Sequence, residues 1–208
     1  MAETELEPLA PKEALDWYLE HRRDDLRTAT RRKHRSALST FVGWTEEATI
    51  VNMNDIGGHQ LMEFKTWRKT ETDLVTVSLN GNLAILQRFL QFCENIDAVA
   101  EGVADRVPLP NVPPEEEVNH EVPTDEEVED IRSYFRRFEY ASRRHVEFEL
   151  IAEVGVRLGA VRAIDVGDFD PEAKVIRLRH RPEGTDDYGT PLKNGPDGEQ
   201  LTPLRPVT

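Results

Sequence analysis

The chain has 208 residues, of which 38% are hydrophobic, so it is long enough to bury one large core or two small ones. Its 40 acidic and 26 basic residues leave a net charge of -14, and only 6 of the basic residues are lysines. An acidic, lysine-poor composition is typical of proteins from a molar-salt cytoplasm, where excess charge keeps the surface hydrated, so we expect a halophilic protein. In such a protein an acidic net charge is weak evidence against nucleic-acid binding, because local basic clusters decide whether nucleic acid binds.

The single cysteine, Cys93, lies in an apolar helical pattern. A lone cysteine excludes an internal disulfide and a cysteine metal site, and the pattern predicts a buried thiol. No apolar run reaches the length of a membrane span, and the N-terminus lacks the basic start and apolar core of a signal peptide. We therefore expect a soluble, cytoplasmic protein with no membrane partner.

Apolar residues at helical spacing predict four helices in the first half of the chain. They are expected at residues 11–23, at about 28–47, around 61–67 and at about 77–96. The last of them carries an apolar stripe wide enough to pack on two neighbours. Together they predict a four-helix bundle over residues 10–97.

Residues 98–122 are expected to form an acidic, proline-rich linker, because they show neither a helical nor a strand period. Thr124 and Glu127 are spaced as a capping box, which predicts the start of a helix and of a second domain over residues 123–208.

The second domain contains few predicted elements. They are a helix to about Tyr140, a helix from about Ser142 and strands at 175–179 and from 200 to 204. So few elements leave one sheet face with little to cover it, and we expect a domain truncated at Thr208. The predicted fold class is mainly α, with a four-helix bundle followed by a truncated α+β domain that has a small antiparallel sheet.

The stretch 146–170 has the most unusual pattern in the chain. From Val146 to Val156 apolar residues occupy nearly all sides of a helix, which predicts a helix buried in a core. Arg157 then stands between two glycines, and its guanidinium needs acceptors because it cannot lose its charge. Phosphate is one candidate, and an intramolecular pair with Asp165 or Asp168 is the other.

A basic cluster lies between residues 21 and 35, where seven basic residues against two aspartates give +5 (7 − 2). Its members are Arg22, Arg23, Arg27, Arg31, Arg32, Lys33 and Arg35. Arg27, Arg31 and Arg35 recur every four residues, so they share a helix face on which like charges cost roughly 0.2–0.5 kcal/mol per pair. A DNA backbone would offset that cost and would be bound with little sequence preference. The alternatives are a solvated face or a face docked on the acidic linker.

Two further basic features are weaker signals. Arg68 and Lys69 after Trp67 form a smaller basic edge, which favourable charge at a helix C-terminus also explains. Lys193 precedes Asn194-Gly195 at a predicted strand end, where a hairpin turn would project its ammonium toward one end of the sheet. The sequence has no glycine-rich phosphate loop, no G-x-S-x-G and no H-E-x-x-H motif.

In order and spacing, these pieces resemble the tyrosine recombinase (phage integrase) family. The family's T-G-hydrophobic-R-hydrophobic-[SG]-E stretch is similar to Val154-Gly155-Val156-Arg157-Leu158-Gly159-Ala160, and its L-x-W-x-D-I-D-like residues to the stretch 163–170. Its hairpin lysine corresponds to Lys193. The bundle at 10–97 resembles the family's SAM-like core-binding domain, and the likeness spans about 10–205.

The resemblance implies chemistry for two residues. Arg157 would be one of two arginines that hold the non-bridging oxygens of the scissile phosphate, and Lys193 would be the general acid toward the leaving hydroxyl. A planar guanidinium suits charge on equatorial oxygens, and a lysine can give up a proton. The family implies no metal and no cofactor.

The sequence also departs from the family. Ala160 replaces the acid that usually follows the arginine, and no His is followed three residues later by Arg. The family's C-terminal tyrosine nucleophile has no counterpart. We therefore expect an integrase-like protein for DNA integration and recombination that binds double-stranded DNA without cutting it, with further integrase subunits as partners in a synaptic complex. The alternatives are a stand-alone DNA-binding accessory or decoy factor, and a truncated product without function.

Overall fold

A computed structural model describes residues 5–71, 74–113, 115, 122–182 and 189–204. The chain divides into two compact units, Met1–His120 and Glu121–Thr208. Its fold is mainly α with a three-stranded antiparallel sheet, which confirms the predicted fold class. Within the described part of the chain, no helix is both long enough and apolar enough to cross a membrane.

The first unit is built from four long helices. They are α1 (Pro11–His21), α2 (Thr28–Glu47), α3 (Gly58–Glu71) and α4 (Thr76–Asn95). Pro11 occupies the first turn of α1, where its missing N–H costs nothing. Helix α1 ends at His21 rather than at Arg23, because Arg22 leaves the helical conformation. The predicted bounds of α2 are confirmed.

Aromatic rings fill the core of the bundle. The ring of Tyr18 lies 5.5 Å from that of Phe89 in an edge-to-face contact, and Phe41 meets Phe64 in the same way at 5.1 Å. Cys93 is fully buried beside them, as predicted, and burial raises the pKa of its thiol. These contacts join all four helices into one core.

The core continues into residues that the sequence assigns to the linker. Five of them are buried, namely Ala98, Val99, Val103, Ala104 and Val107. The carboxylate of Glu94 accepts a hydrogen bond from the backbone N–H of Ala104 at 2.7 Å, which fixes a short 3-10 turn on the end of α4. These small apolar residues pack without helical or strand periodicity, so the sequence pattern does not predict their burial. Residues 114 and 116–121 of the predicted linker lie outside the described residues.

The second unit combines short helices with the sheet. Its elements are α5 (Asp125–Phe138), α6 (Arg143–Val154), α7 (Leu158–Val161), β1 (Phe169–Asp170), β2 (Val175–Leu178) and β3 (Gln200–Pro203). The predicted capping box begins α5, where Thr124 accepts from the Glu127 N–H and Glu127 accepts from the Thr124 N–H at 2.8 Å. Strand β2 lies between its neighbours, with Ile176 opposite both Phe169 and Thr202.

Helix α6 is not the buried helix that the sequence predicts. Val146 is 51% exposed and Ile151 39% exposed. Among the described elements α6 packs chiefly against α5 and α7, which cover only part of its circumference. The buried core of this unit lies instead around Val156, Val161, Ile176 and Leu178.

Candidate nucleic-acid interface

The predicted basic cluster occupies the end of α1 and the first half of α2. Two of its arginines have carboxylate partners, since Arg22 pairs with Asp25 at 3.2 Å and Arg23 with Glu20 at 3.2 Å. Both pairs are local and largely solvent-exposed, so each contributes little to stability. Arg27 directly precedes α2 and is exposed.

The rest of the cluster lies on α2. Its members, Arg31, Arg32, Lys33 and Arg35, form no ion pair with any carboxylate that the structure describes. Three of them are exposed and Arg31 is half-buried. In a chain with 40 acidic residues, four nearly consecutive cations that pair with no described carboxylate create a local positive potential on this helix.

The cations face two concave surfaces on either side of α2. On the α1 side, a cavity of about 700 Å³ is lined by Trp17, Arg23, Arg31, Arg32 and Arg35, with Leu19, Thr28 and the carboxylates of Asp16 and Glu20. The cavity thus combines the positive charges of α2 with the apolar side chains of Trp17 and Leu19 on α1.

On the other side of α2, a cavity of about 400 Å³ joins Arg32 and Lys33 to α3 and α4. Arg68 and Asn82 line it together with the hydroxyl side chains of Ser36 and Thr40. In the sequence Arg68 belongs to a separate basic edge, and no motif points to Asn82. Only the packing of α3 and α4 beside α2 brings them to the cluster, and local spacing contains no signal of it.

A buried histidine lies beneath the basic residues. The Tyr18 hydroxyl and Nδ1 of His34 are hydrogen-bonded at 2.9 Å, and both side chains are buried. Burial, followed by the charges of Arg88, Arg22 and Lys33, lowers the pKa of His34. Burial also raises the pKa of Tyr18. A neutral pair therefore ties α1 to α2 under a positively charged surface.

A third concave surface lies in the second unit, and both residues singled out by the family resemblance line it. Arg157 and Lys193, both exposed, line one cavity of about 560 Å³. Gly155 ends α6 in the left-handed conformation at φ 66°, which a glycine adopts without strain. The chain turns there, and Arg157 directly precedes α7. Gly159 does not have a positive φ, and a Cβ there would meet open space, so this position does not require glycine.

Of the two alternatives for Arg157, the ion pair with Asp165 or Asp168 is not formed. Arg181 takes both aspartates, at 3.2 Å from Asp165 and 2.8 Å from Asp168, and Arg179 approaches Asp168 at 3.5 Å. Arg181 reaches them because the end of β2 brings it back beside the turn before β1. Arg157 has no ion pair with any described carboxylate.

Asp168 is the buried centre of this ionic network, with 1% of its surface exposed. Burial opposes its ionisation, but hydrogen bonds from the Asp165 N–H at 2.9 Å and from Arg181 outweigh it. Together with the charges of Arg181 and Arg179 they lower the pKa of the Asp168 carboxyl. Arg181 also donates to the carbonyl of Ala163, so it holds the segment after α7 in place.

The segment that carries Lys193 is held from behind. The backbone N–H of Leu192 donates to Nδ1 of His180 at 3.0 Å, and the His180 N–H donates to the Glu199 carboxylate at 2.8 Å. Ala160 lines the cavity where the family has an acid, while Asp197 and Glu199 bring carboxylates from the other wall. Sequence spacing gives no hint of these contacts. Among the described residues, no group of three or more His, Cys, Asp or Glu side chains could hold a metal ion.

The fold is similar to that of solved integrase structures. No protein-family model matches the sequence, and no curated protein matches it. The chain is similar to the N-terminal domain of a phage integrase/site-specific recombinase from Haloarcula marismortui, with 36% identity over 50% of this chain and 99% of that domain, at a TM-score of 0.48.

Two structures of the Tn1549 transposon integrase match nearly the whole chain. One is in complex with a circular intermediate DNA (TM-score 0.66, 14% identity) and the other with transposon right end DNA (TM-score 0.64, 15% identity). Each match covers 95% of this chain and 61% of the integrase chain. The chain thus spans about three fifths of the length of the integrase that it matches.

Proposed function

The chain has the tyrosine recombinase fold, and from this premise we propose that it is an integrase-like protein that binds double-stranded DNA in DNA integration and recombination. The observation that carries the proposal is the set of cations on α2, Arg31, Arg32, Lys33 and Arg35, which form no ion pair with a described carboxylate. Their mutual repulsion destabilises the free protein, and a row of phosphates would relieve it.

The two sides of α2 suit different parts of a duplex. Arg31 and Arg35 lie four residues apart on the α1 side, which suits successive phosphates and contributes affinity with little sequence preference. Arg68 and Asn82 stand with Ser36 and Thr40 on the other side. These side chains offer both hydrogen-bond donors and acceptors to base edges.

A gel shift with duplex DNA tests this proposal. We expect the Arg31→Glu, Arg35→Glu double variant to lose binding, because it places two negative charges where phosphates would lie. Lys12→Glu, Arg106→Glu is the matched control, since it makes the same change in net charge at two exposed positions of the same unit that line neither α2 cavity. Equal mobility of DNA with and without the unmutated protein, or equal losses in both variants, would contradict the proposal.

In the second unit, we propose that Arg157 and Lys193 contact a backbone phosphate of the same DNA. The support is that both line one cavity, and that Arg157 has no ion pair with a described carboxylate. A guanidinium fork matches two phosphate oxygens, and an ammonium adds a point charge. Arg157→Ala and Lys193→Ala should each weaken duplex binding, while Arg143→Ala, an exposed arginine of α6, should not.

We further propose that these 208 residues hold DNA without cleaving it. Tyr18 is buried in the bundle, Tyr134 and Tyr140 lie at α5 and just beyond it, and no described tyrosine lines the cavity of Arg157 and Lys193. Tyr188 lies outside the described residues. Trapping on a nicked suicide substrate should give no covalent protein–DNA adduct. An adduct that disappears in Tyr188→Phe would overturn this part of the proposal.

Further integrase subunits are the protein partner that we propose. Tyr134, Phe138 and Tyr140 are all more than half exposed on the second unit, and aromatic side chains of this kind are enriched at protein interfaces. Sedimentation of the protein with a duplex that carries two binding sites should reveal protein–protein association that Phe138→Glu removes. Independent filling of the two sites by the unmutated protein would contradict it.

A further inference from the structure

Trp17 departs from the pattern of the helix that carries it. In α1 the apolar residues Leu15, Tyr18 and Leu19 are buried in the bundle core, whereas Trp17 is 53% exposed. Single exposed apolar residues need no explanation on their own. Trp17, however, lines the α1-side cavity together with Arg31 and Arg35.

The charges of this cavity are divided between its two walls. Asp16 and Glu20 lie on the α1 wall, and Glu20 is already engaged by Arg23 at 3.2 Å. The α2 wall supplies Arg31 and Arg35, which form no ion pair with a described carboxylate. An anionic group is therefore attracted to the α2 wall and repelled from the Asp16 end.

An occupant must combine a flat apolar surface with negative charge to satisfy both features. The indole of Trp17 offers a large face for stacking, and the arginines offer charge-assisted hydrogen bonds. The volume of about 700 Å³ lies in the range of small-molecule sites and is ample for a nucleotide. Nucleobases within a duplex are stacked on one another and expose only their edges, so only an unpaired base can present its face.

We propose that the α1-side cavity holds an unpaired nucleotide of DNA, with its base stacked on Trp17 and its phosphates on Arg31 and Arg35. This inference rests on the proposed DNA binding and adds a preference for DNA with an unpaired segment beside the duplex. The stacking surface reads the presence of a free base and not its identity, because every base has such a face.

The test compares three fluorescently labelled DNAs by anisotropy at one fixed salt concentration. They are a single-stranded oligonucleotide, the same strand with abasic sugars throughout, and the corresponding duplex. The protein variants are Trp17→Ala, Trp17→Phe and, as a matched exposed apolar residue on α3, Met62→Ala. Since Trp17 is half exposed, its truncation leaves no buried cavity, and circular dichroism checks that the variants fold.

Trp17→Ala should weaken binding of the intact single strand by roughly 5- to 150-fold, the loss of one stacked base, and leave binding of the abasic strand and the duplex unchanged. Trp17→Phe should keep most of the affinity for the intact strand, and Met62→Ala should change none of the three affinities. A double-mutant cycle between the indole and the bases isolates their coupling.

Equal losses on all three DNAs, or no loss on the intact strand, would overturn the inference. The Arg31→Glu, Arg35→Glu variant separates it from the proposed function. If that variant binds every DNA as the unmutated protein does, the DNA-binding proposal itself fails. If it loses all three while Trp17→Ala loses none, only the stacking inference fails.

Discussion

In the helical bundle, Tyr18, Phe41 and Phe89 interlock in a fully buried core, whereas the apolar cluster that the described residues of the second unit bury around Ile176 and Leu178 is small. The second unit contains instead a buried carboxylate, Asp168, bonded to Arg181. In the bundle the cations on α2 have no described carboxylate partner. Packing thus stabilises the bundle, whose α2 cations pair with no described carboxylate, while the second unit adds a buried ion pair to its apolar cluster.

The largest difference should follow from shortening a core side chain. Phe89→Ala should destabilise the bundle by about 3–5 kcal/mol, because a closely packed core relaxes little around the lost ring. Leu178→Ala should cost less, about 2 kcal/mol, since its cluster is small and can adjust. Urea unfolding followed by tryptophan fluorescence measures the first, as all three tryptophans lie in the bundle. Hydrogen exchange of the Ile176 amide measures the second, and equal costs would contradict the contrast.

Asp168→Asn tests the paired charges. It should destabilise the second unit by about 2–3 kcal/mol, because Arg181 keeps only its carbonyl contact and the exposed Asp165. The folded state lowers the pKa of Asp168, so its contribution is complete above the usual value of 3.8 and is lost as the pH falls below it. The variant should lose that acid dependence in hydrogen exchange of β2 amides. Asp165→Asn is the control and should change little.

The buried histidine of the bundle makes a smaller, pH-dependent contribution. His34 has a lowered pKa, so the unfolded chain binds its proton more readily, and stability should decline as the pH falls below about 6.5. His34→Gln should remove this slope and cost about 1–2 kcal/mol at neutral pH through the altered bond to Tyr18. Urea unfolding at several pH values, with the exposed His59→Gln as control, checks both. A slope that persists in His34→Gln would assign it to another group.

The smallest effect is expected at the start of α5. Thr124→Ala removes one half of the capping box and should destabilise this helix by about 1 kcal/mol. Thr124→Ser keeps the hydroxyl and should behave as the unmutated protein. Exchange of the Val128 amide, which donates to the Thr124 carbonyl, reports on this turn. Identical exchange in all three proteins would show that the cap contributes nothing.

Local patterns in the sequence predicted what depends on local physics. Helix α2, the capping box and the buried Cys93 all follow from periodicity and spacing, and each is confirmed. Burial of α6 was predicted wrongly, because periodicity reports which faces are apolar and not how many neighbours cover them. Residues 98–107 of the predicted linker pack on the bundle core without a regular period, so the sequence pattern did not reveal their burial.

The candidate sites show the same limit. The cations of α2 are adjacent in sequence, so spacing alone indicated them as a cluster. The family resemblance indicated Arg157 and Lys193 as candidate site residues. Partners distant in sequence could not. Arg181 reaches Asp168 across 13 positions, and the ring of His180 accepts from the Leu192 N–H across 12, because only the fold of the sheet brings them together.

The salt dependence of duplex affinity tests the central claim, that the cations of α2 contact DNA phosphates, most directly. Each neutralised phosphate contributes about 0.9 to the slope of log affinity against log salt concentration, so Arg31→Gln, Arg35→Gln should reduce the slope by about 1.8. Lys12→Gln, Arg106→Gln should leave the slope unchanged. If the α2 variant keeps the slope of the unmutated protein, these arginines do not contact the DNA backbone and the claim is contradicted.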